Sequence, residues 1–166
     1  DLLAAPVTHA PLRDTDIPPI TDGAAAIVLA AGDLARRVCE RPAWIRGIEH
    51  RIEAHSLGLR DLTRSVSTRQ AAEAAGATGA FDVAELHAQF SHEELILAEA
   101  IGLDGSTPVN PSGGPLAANP VMSAGLIRIG EVARRITAGD AGRGVAHATS
   151  GPCLQQNMVC VLEGGN

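Results

Sequence analysis

The chain has 166 residues, of which 45% are hydrophobic, 19% charged and 2% aromatic, with a formal charge of −6. That length makes about one domain able to bury a core of its own, and the apolar content excludes simple disorder. An acidic chain with no Tyr lacks the basic face that duplex DNA needs and the rings that stack single-stranded bases, so no nucleic-acid partner is expected.

Residues 1–21 carry Pro6, Pro11, Pro18 and Pro19, which forbid a continuous helix and read as extended connecting chain. The apolar run Ala24 to Ala30 follows Asp22-Gly23 and suits a buried strand. Gly32-Asp33 opens a short helix to Val38, ending before Pro42. Trp44 to Glu49 alternates as a second strand. Hydroxyls at Thr63 to Ser67 precede a helix over Thr68 to Ala75 that stops at Gly76. Val83 to Leu86 forms a third strand. Ser91 is placed to cap the next helix, with Glu93 and Glu94 in its first turn and Gly102 at its end. The Gly/Pro/Asn/Ser-rich stretch 104–119 reads as a long loop. Ser123 to Thr137 is a helix with Leu126, Ile129, Val132 or Ala133, and Ile136 on its apolar side, stopping at Gly139. Val145 to Ala148 and Asn157 to Leu162 are the last strands, around Gly151-Pro152.

This alternation predicts an α/β fold, a mixed but mostly parallel sheet with helices on both faces. Ligands in such folds sit on loops beyond strand ends. Three loops should therefore meet, one around Phe90, one at 110–120 and one at 149–156.

Cys39, Cys153 and Cys160 are too few for a disulfide framework and point to a reducing, cytoplasmic setting. All 13 basic side chains are Arg, so there is no Lys for a Schiff base. With no CxxC or HExxH pattern, no metal is expected. The apolar run at 24–31 is far short of a membrane span of about 20 residues. The opening Asp1-Leu2-Leu3 has no basic region before an apolar stretch and does not read as a signal peptide, which leaves a fragment or a processed product.

The three loops hold the residues with chemistry. His87, at a strand end, suits either an oxyanion donor and acid–base group or an ordinary hydrogen-bonded core histidine. Gly113-Gly114 lets backbone approach a ligand closely, or simply makes a tight turn. Asn119-Pro120 precedes a helix whose free N–H groups attract anions. Cys153, in a Gly/Pro turn, suits an exposed thiolate or a small apolar filler.

Asp22-Gly23-Ala24-Ala25-Ala26, Glu85-Leu86-His87-Ala88-Gln89-Phe90, Asn110-Pro111-Ser112-Gly113-Gly114 and the segment from Asn119-Pro120 to Ala124-Gly125 stand in order along nearly the whole chain. As a set they resemble the C-terminal part of a thiolase of the sterol-carrier-protein-X, or lipid-transfer-type, branch. The resemblance implies that residues 1–40 are a connecting segment with the last strand and helix of the N-terminal half. Residues 41–166 are then the C-terminal domain. His87 falls on the histidine that helps form an oxyanion hole. Asn119 falls on the histidine of Gly-His-Pro, the usual base, and an amide takes no proton at neutral pH. The C-terminal catalytic cysteine has Thr149 nearest its position and Cys153 a few residues later. Asn110, Ser112, Gly113 and Gly114 are then expected at the substrate or CoA.

The resemblance implies an acyl-CoA thioester as substrate, no bound cofactor, and acyltransferase-type C–C bond cleavage or formation in lipid or sterol metabolism. The implied partners are an N-terminal thiolase half, carrying the nucleophilic cysteine, and further copies in an oligomer. Two other readings stay open. One is a thiolase-like aldolase acting on a steroid or acyl-CoA side chain with a small OB-fold partner. The other is a non-catalytic half that binds acyl-CoA or supports a dimer.

Overall fold

A computed structural model describes residues 1–165. Near the start, β1 (Val7–His9) and β2 (Leu12–Arg13) pair antiparallel, so residues 1–21 are more than plain connecting chain. The main sheet and its helices begin after residue 31. In order they are α1 (Gly32–Val38), β3 (Trp44–Ile52), α2 (Val66–Ala74), β4 (Val83–Glu85), α3 (Ser91–Ile101), the one-turn α4 (Gly114–Ala117), α5 (Ala124–Ala138), β5 (Arg143–Ser150) and β6 (Gln156–Glu163).

The four-stranded sheet has the order β3-β6-β5-β4. β3 with β6 and β6 with β5 are antiparallel, and only β4 with β5 is parallel. The expected mostly parallel sheet is therefore corrected to a mixed, mostly antiparallel one. The cause is the turn 151–155 between β5 and β6. A parallel pair needs a crossover of a dozen or more residues, and so short a turn closes only a hairpin.

Helices pack on both faces of the sheet. Ala71, Ala72 and Leu97 of α2 and α3 pack with Val145, Val159 and Val161 on one face. Ile129, Val132 and Ile136 of α5 pack with Ala146, Cys160 and Leu162 on the other. The period-2 alternation of β5 and β6 supplies both faces from the same strands. Ser65 caps α2, its hydroxyl accepting from the Thr68 N–H at 3.4 Å. α3 and α5 end at Gly102 and Gly139, whose φ values of +78° and +86° need no side chain in the way. Ser91 is the first residue of α3 rather than its cap, which is Phe90 and offers no side-chain acceptor.

Two further expectations change. Ala24 to Ala30 is not a strand, and most of it is exposed, with Val28 95% accessible. An apolar run becomes a strand only when a neighbour completes its backbone hydrogen bonds, and none pairs with it among the described residues. The loop 104–119 contains α4 and a parallel bridge between Val109 and Ala84 that ties it to the end of β4.

Gly144 lies where α5 and β4 both crowd β5. A Cβ there would lie 2.5 Å from Val132 Cγ1 and 2.8 Å from Val83 Cγ1. Gly144→Ala is expected to destabilise the fold by about 1–3 kcal/mol through overpacking. A lowered urea midpoint with unchanged slope is the check.

Candidate active site

The expected meeting of three loops occurs at the end of β4. Just past β4, the Leu86 N–H donates to Asn110 Oδ1 at 2.7 Å. The Gln89 N–H donates to Glu93 Oε2 at 2.8 Å. Between them, His87 Nδ1 accepts from the Thr149 N–H at 3.3 Å. The segment that carries His87 is thus held by the 110–114 loop, by α3 and by the end of β5.

His87 is 3% exposed, and its Nε2 has no hydrogen-bond partner among the described residues. Burial pushes its pKa down to about 4, and the nearby Arg128 charge adds to the effect. The ring is therefore neutral near pH 7. A neutral imidazole that accepts at Nδ1 carries its proton on Nε2. That leaves a desolvated N–H donor with nothing to donate to.

His87 lines a cleft of about 470 Å³ together with His50, Gln89, Gly125, Thr149 and Gln156. Leu126, Ile129 and Met158 give it an apolar wall, and Val121 and Met122 stand at its rim. The first turn of α5 therefore borders the cleft, as the anion-attracting reading of that helix requires. Gly125 allows the closeness, since a Cβ there would meet Ala148 Cβ at 2.5 Å.

The remaining predicted site residues lie behind the cleft or beside it. Asn110, at φ +48°, spends its side chain on the Leu86 N–H and on Glu94, to which its Nδ2 donates at 2.6 Å. Gly114 must lack a side chain, because a Cβ would sit 2.9 Å from Asn110 Cγ. Ser112 Oγ donates to Glu85 Oε2 at 2.7 Å, and Ser112 N–H donates to Glu85 Oε1 at 3.1 Å. Gly113, at φ +96°, caps α4. None of these four residues lines the cleft. Asn119 is 4% exposed, outside the lining, with its carbonyl accepting from the Thr21 N–H and its Oδ1 unpartnered among the described residues. Cys153 is exposed in the hairpin turn and not part of the cleft lining, and Arg60 donates to its carbonyl at 3.0 Å. Gly151 and Ser150, not Cys153, supply that wall of the cleft.

Two supporting groups are not among the expected site residues. Arg128, 4% exposed, donates from Nη1 to Glu85 Oε2 at 2.7 Å and to Ser112 Oγ at 2.8 Å. Its signal was spacing, because Ala124, Arg128, Val132 and Ile136 fall four apart on one buried stripe of α5. The second group is His147, fully buried on β5, with Nε2 2.9 Å from Asn157 Oδ1. The Asn157 amide donates to Ser67 Oγ and to the Leu154 carbonyl, both at 2.7 Å, so its Oδ1 faces His147 as acceptor. Burial pushes His147 down to about 3 against the opposing Asn157 hydrogen bond, and the proximity of His87 lowers it further.

These two neutral histidines make stability depend on pH. Their folded pKa values lie below the value of roughly 6.5 expected in the unfolded chain. The unfolded state thus binds more protons below that value. Stability is level above about pH 7 and falls as pH drops from 6.5 toward 4, by about 1.4 kcal/mol per unit for each histidine. Urea midpoints at pH 7.5 and 5.0 should differ in that direction, and equal midpoints would contradict the buried neutral pair.

Among the described residues, no three His, Cys, Asp or Glu side chains come together as metal ligands, and no helix is long and apolar enough to cross a membrane.

The chain is thus a mixed α/β layer with a neutral, buried imidazole just past a strand end. It is a distant homologue of a thiolase-superfamily protein. That relative is an acetyl-CoA acetyltransferase of Methanothermobacter thermautotrophicus, 32% identical over 157 aligned residues that cover 80% of this chain. The match takes in 41% of the relative, so the chain spans less than half the length of the curated protein it matches. No family model matches the chain.

Proposed function

We propose that this chain is the C-terminal part of a thiolase-like enzyme that breaks or forms C–C bonds in CoA thioesters. Residues 1–40 then connect from an N-terminal half and residues 41–166 form the C-terminal domain. The observation that carries the reading is His87, a residue of the cleft lining, whose Nδ1 is occupied by the Thr149 N–H and whose buried Nε2–H has no partner among the described residues. Such a donor suits a thioester oxygen that gains negative charge as an enolate forms. Because the ring is buried and its tautomer fixed, little reorganisation of His87 is needed when the charge appears.

In this reading the thioester oxygen rests on His87, the α5 N-terminal turn adds partial positive charge, and the apolar wall of Leu126 and Ile129 receives the acyl part. Asn110, Ser112, Gly113 and Gly114 act behind the site, holding the strand end that carries His87. The sterol-carrier-protein-X branch, a lipid or sterol acyl group, an oligomeric parent and a cytoplasmic setting belong to the same proposal.

A second reading is retro-aldol cleavage of a 3-hydroxyacyl-CoA, with a small OB-fold protein as partner. The placement of Cys153 outside the cleft and of an amide at Asn119 favours it, because retro-aldol chemistry uses the enolate donor but no acyl-accepting thiol.

The test is turnover by the full-length protein of a 3-ketoacyl-CoA and, separately, a 3-hydroxyacyl-CoA, each with and without free CoA. Cleavage of the ketoacyl substrate that requires CoA supports thiolysis. Cleavage of the hydroxyacyl substrate without CoA supports the lyase. Turnover of neither overturns both in favour of a binding or structural half.

A further inference from the structure

The cleft holds a second imidazole on a different element. His50 on β3 pairs with Met158 on β6, and Met158 pairs with Ala148 on β5. Directly opposed residues of antiparallel strands point to one face, so these three form a row across the α5 side of the sheet. The row ends beside Gly125 and His87. Neighbouring strands are about 4.8 Å apart, which sets the His50 and Ala148 backbones roughly 10 Å from each other. His87 lies just past β4, one strand beyond β5, so the His50 and His87 backbones stand about three strand spacings, roughly 14 Å, apart on the two sides of the cleft. At the β3 end this face is uncovered, as Ile48 and Ile52 on either side of His50 are more than half exposed. The His50 ring is exposed as well.

The polar side chains of the lining are His50, His87, Gln89, Thr149, Ser150 and Gln156. Amides and hydroxyls take up no proton at neutral pH. His87 is committed as a donor by the Thr149 N–H on its other nitrogen. We propose that His50 is the acid–base residue of the cleft, which takes a C2 proton from a CoA thioester whose carbonyl oxygen rests on His87. This inference rests on the thioester reading above.

In the step, the C2–H bond breaks and its proton moves to an imidazole nitrogen of His50. The electron pair of that bond becomes the enolate, with its negative charge on the thioester oxygen at the His87 N–H. The reverse transfer returns the proton to carbon and restores neutral His50. The surroundings of His50 carry little charge to oppose this. Glu49 and Arg51 flank it in sequence but point to the other face, where they pair at 2.7 Å. Gln156 and Met158 on β6, and Leu126 and Ile129 on α5, are uncharged. His87, the other titratable group of the lining, is neutral.

Deuterium exchange at C2 of acetyl-CoA in D2O, catalysed by the full-length protein and followed by mass spectrometry, reads this step without any C–C chemistry. The expected result is exchange by the wild type, a loss of roughly 100-fold or more in His50→Gln, and partial recovery in His50→Glu. Acetyl-CoA affinity should stay within a few-fold throughout. Exchange by His50→Gln at the wild-type rate, while His87→Ala is impaired, overturns the role of His50 and leaves the thioester reading standing. A His50→Gln protein that loses affinity but not rate makes His50 a binding residue and also overturns the proposal. Wild-type protein that gives no exchange above buffer overturns both.

Discussion

His87→Ala is expected to lower kcat on the CoA thioester by about 100- to 1,000-fold with KM changed only a few-fold, the usual cost of removing one oxyanion donor. The expectation follows from geometry. The Nε2–H has no partner among the described residues, so in the proposed reading it gains one when the substrate oxygen arrives. A ground-state carbonyl attracts it weakly and an enolate oxygen strongly, so the loss falls on kcat. The pH profile supplies an independent readout. With its pKa pushed down to about 4, His87 keeps the same donor form from pH 5 upward. The activity profile should therefore contain no limb belonging to His87 between pH 5 and 8. A limb near 6.5 that vanished in a His87 variant would show a proton-transferring imidazole and end the donor reading. Steady-state kinetics of the full-length protein at five or six pH values would decide it.

The residues around His87 show how far sequence carried and where it stopped. The helix of α5 and the strands β5 and β6 were legible because period and stop signals agreed over long segments. The convergence of three loops was legible from the rule that ligands sit beyond strand ends. The direction of the sheet was misread because alternation of strands and helices was weighed above the length of one turn. Turn 151–155 alone forces β5 and β6 to run opposite ways. Ala24 to Ala30 was misread for a different reason: apolar content says what a segment can bury, but not whether a strand lies beside it.

The motif Asn110-Pro111-Ser112-Gly113-Gly114 is visible as unusual in the sequence, and in the fold its residues stand outside the lining of the cleft. Glycines and short polar residues look alike in sequence whether they cradle a ligand or a neighbouring side chain. Here they cradle Asn110 and Glu85. His50 escaped notice because it is an exposed residue on an alternating strand, and only its register against Met158 and Ala148 puts it on the cleft.

Arg128→Met is expected to destabilise the protein by about 3–5 kcal/mol, because it leaves the fully buried Glu85 carboxylate without its cation. Glu85→Gln should fall in the same range, since it strands the Arg128 charge. The double variant Glu85→Leu with Arg128→Met should recover most of the loss, because an apolar pair of similar volume has no charge to solvate. Urea unfolding of the two singles and the double measures the coupling directly, and additive single losses would show that the pair does not act as a unit. The pair also touches the chemistry. Glu85 ends β4 two residues before His87, and Arg128 lowers the pKa of that ring. In the double variant, NMR titration of His87 should therefore move upward from about 4 toward the ordinary histidine range, with burial still holding it below. The buried charge is thus costly for the fold but useful at the strand end. It adds to burial in keeping the neighbouring imidazole neutral, and in the proposed reading a neutral imidazole is the form that leaves one N–H free for the substrate oxygen.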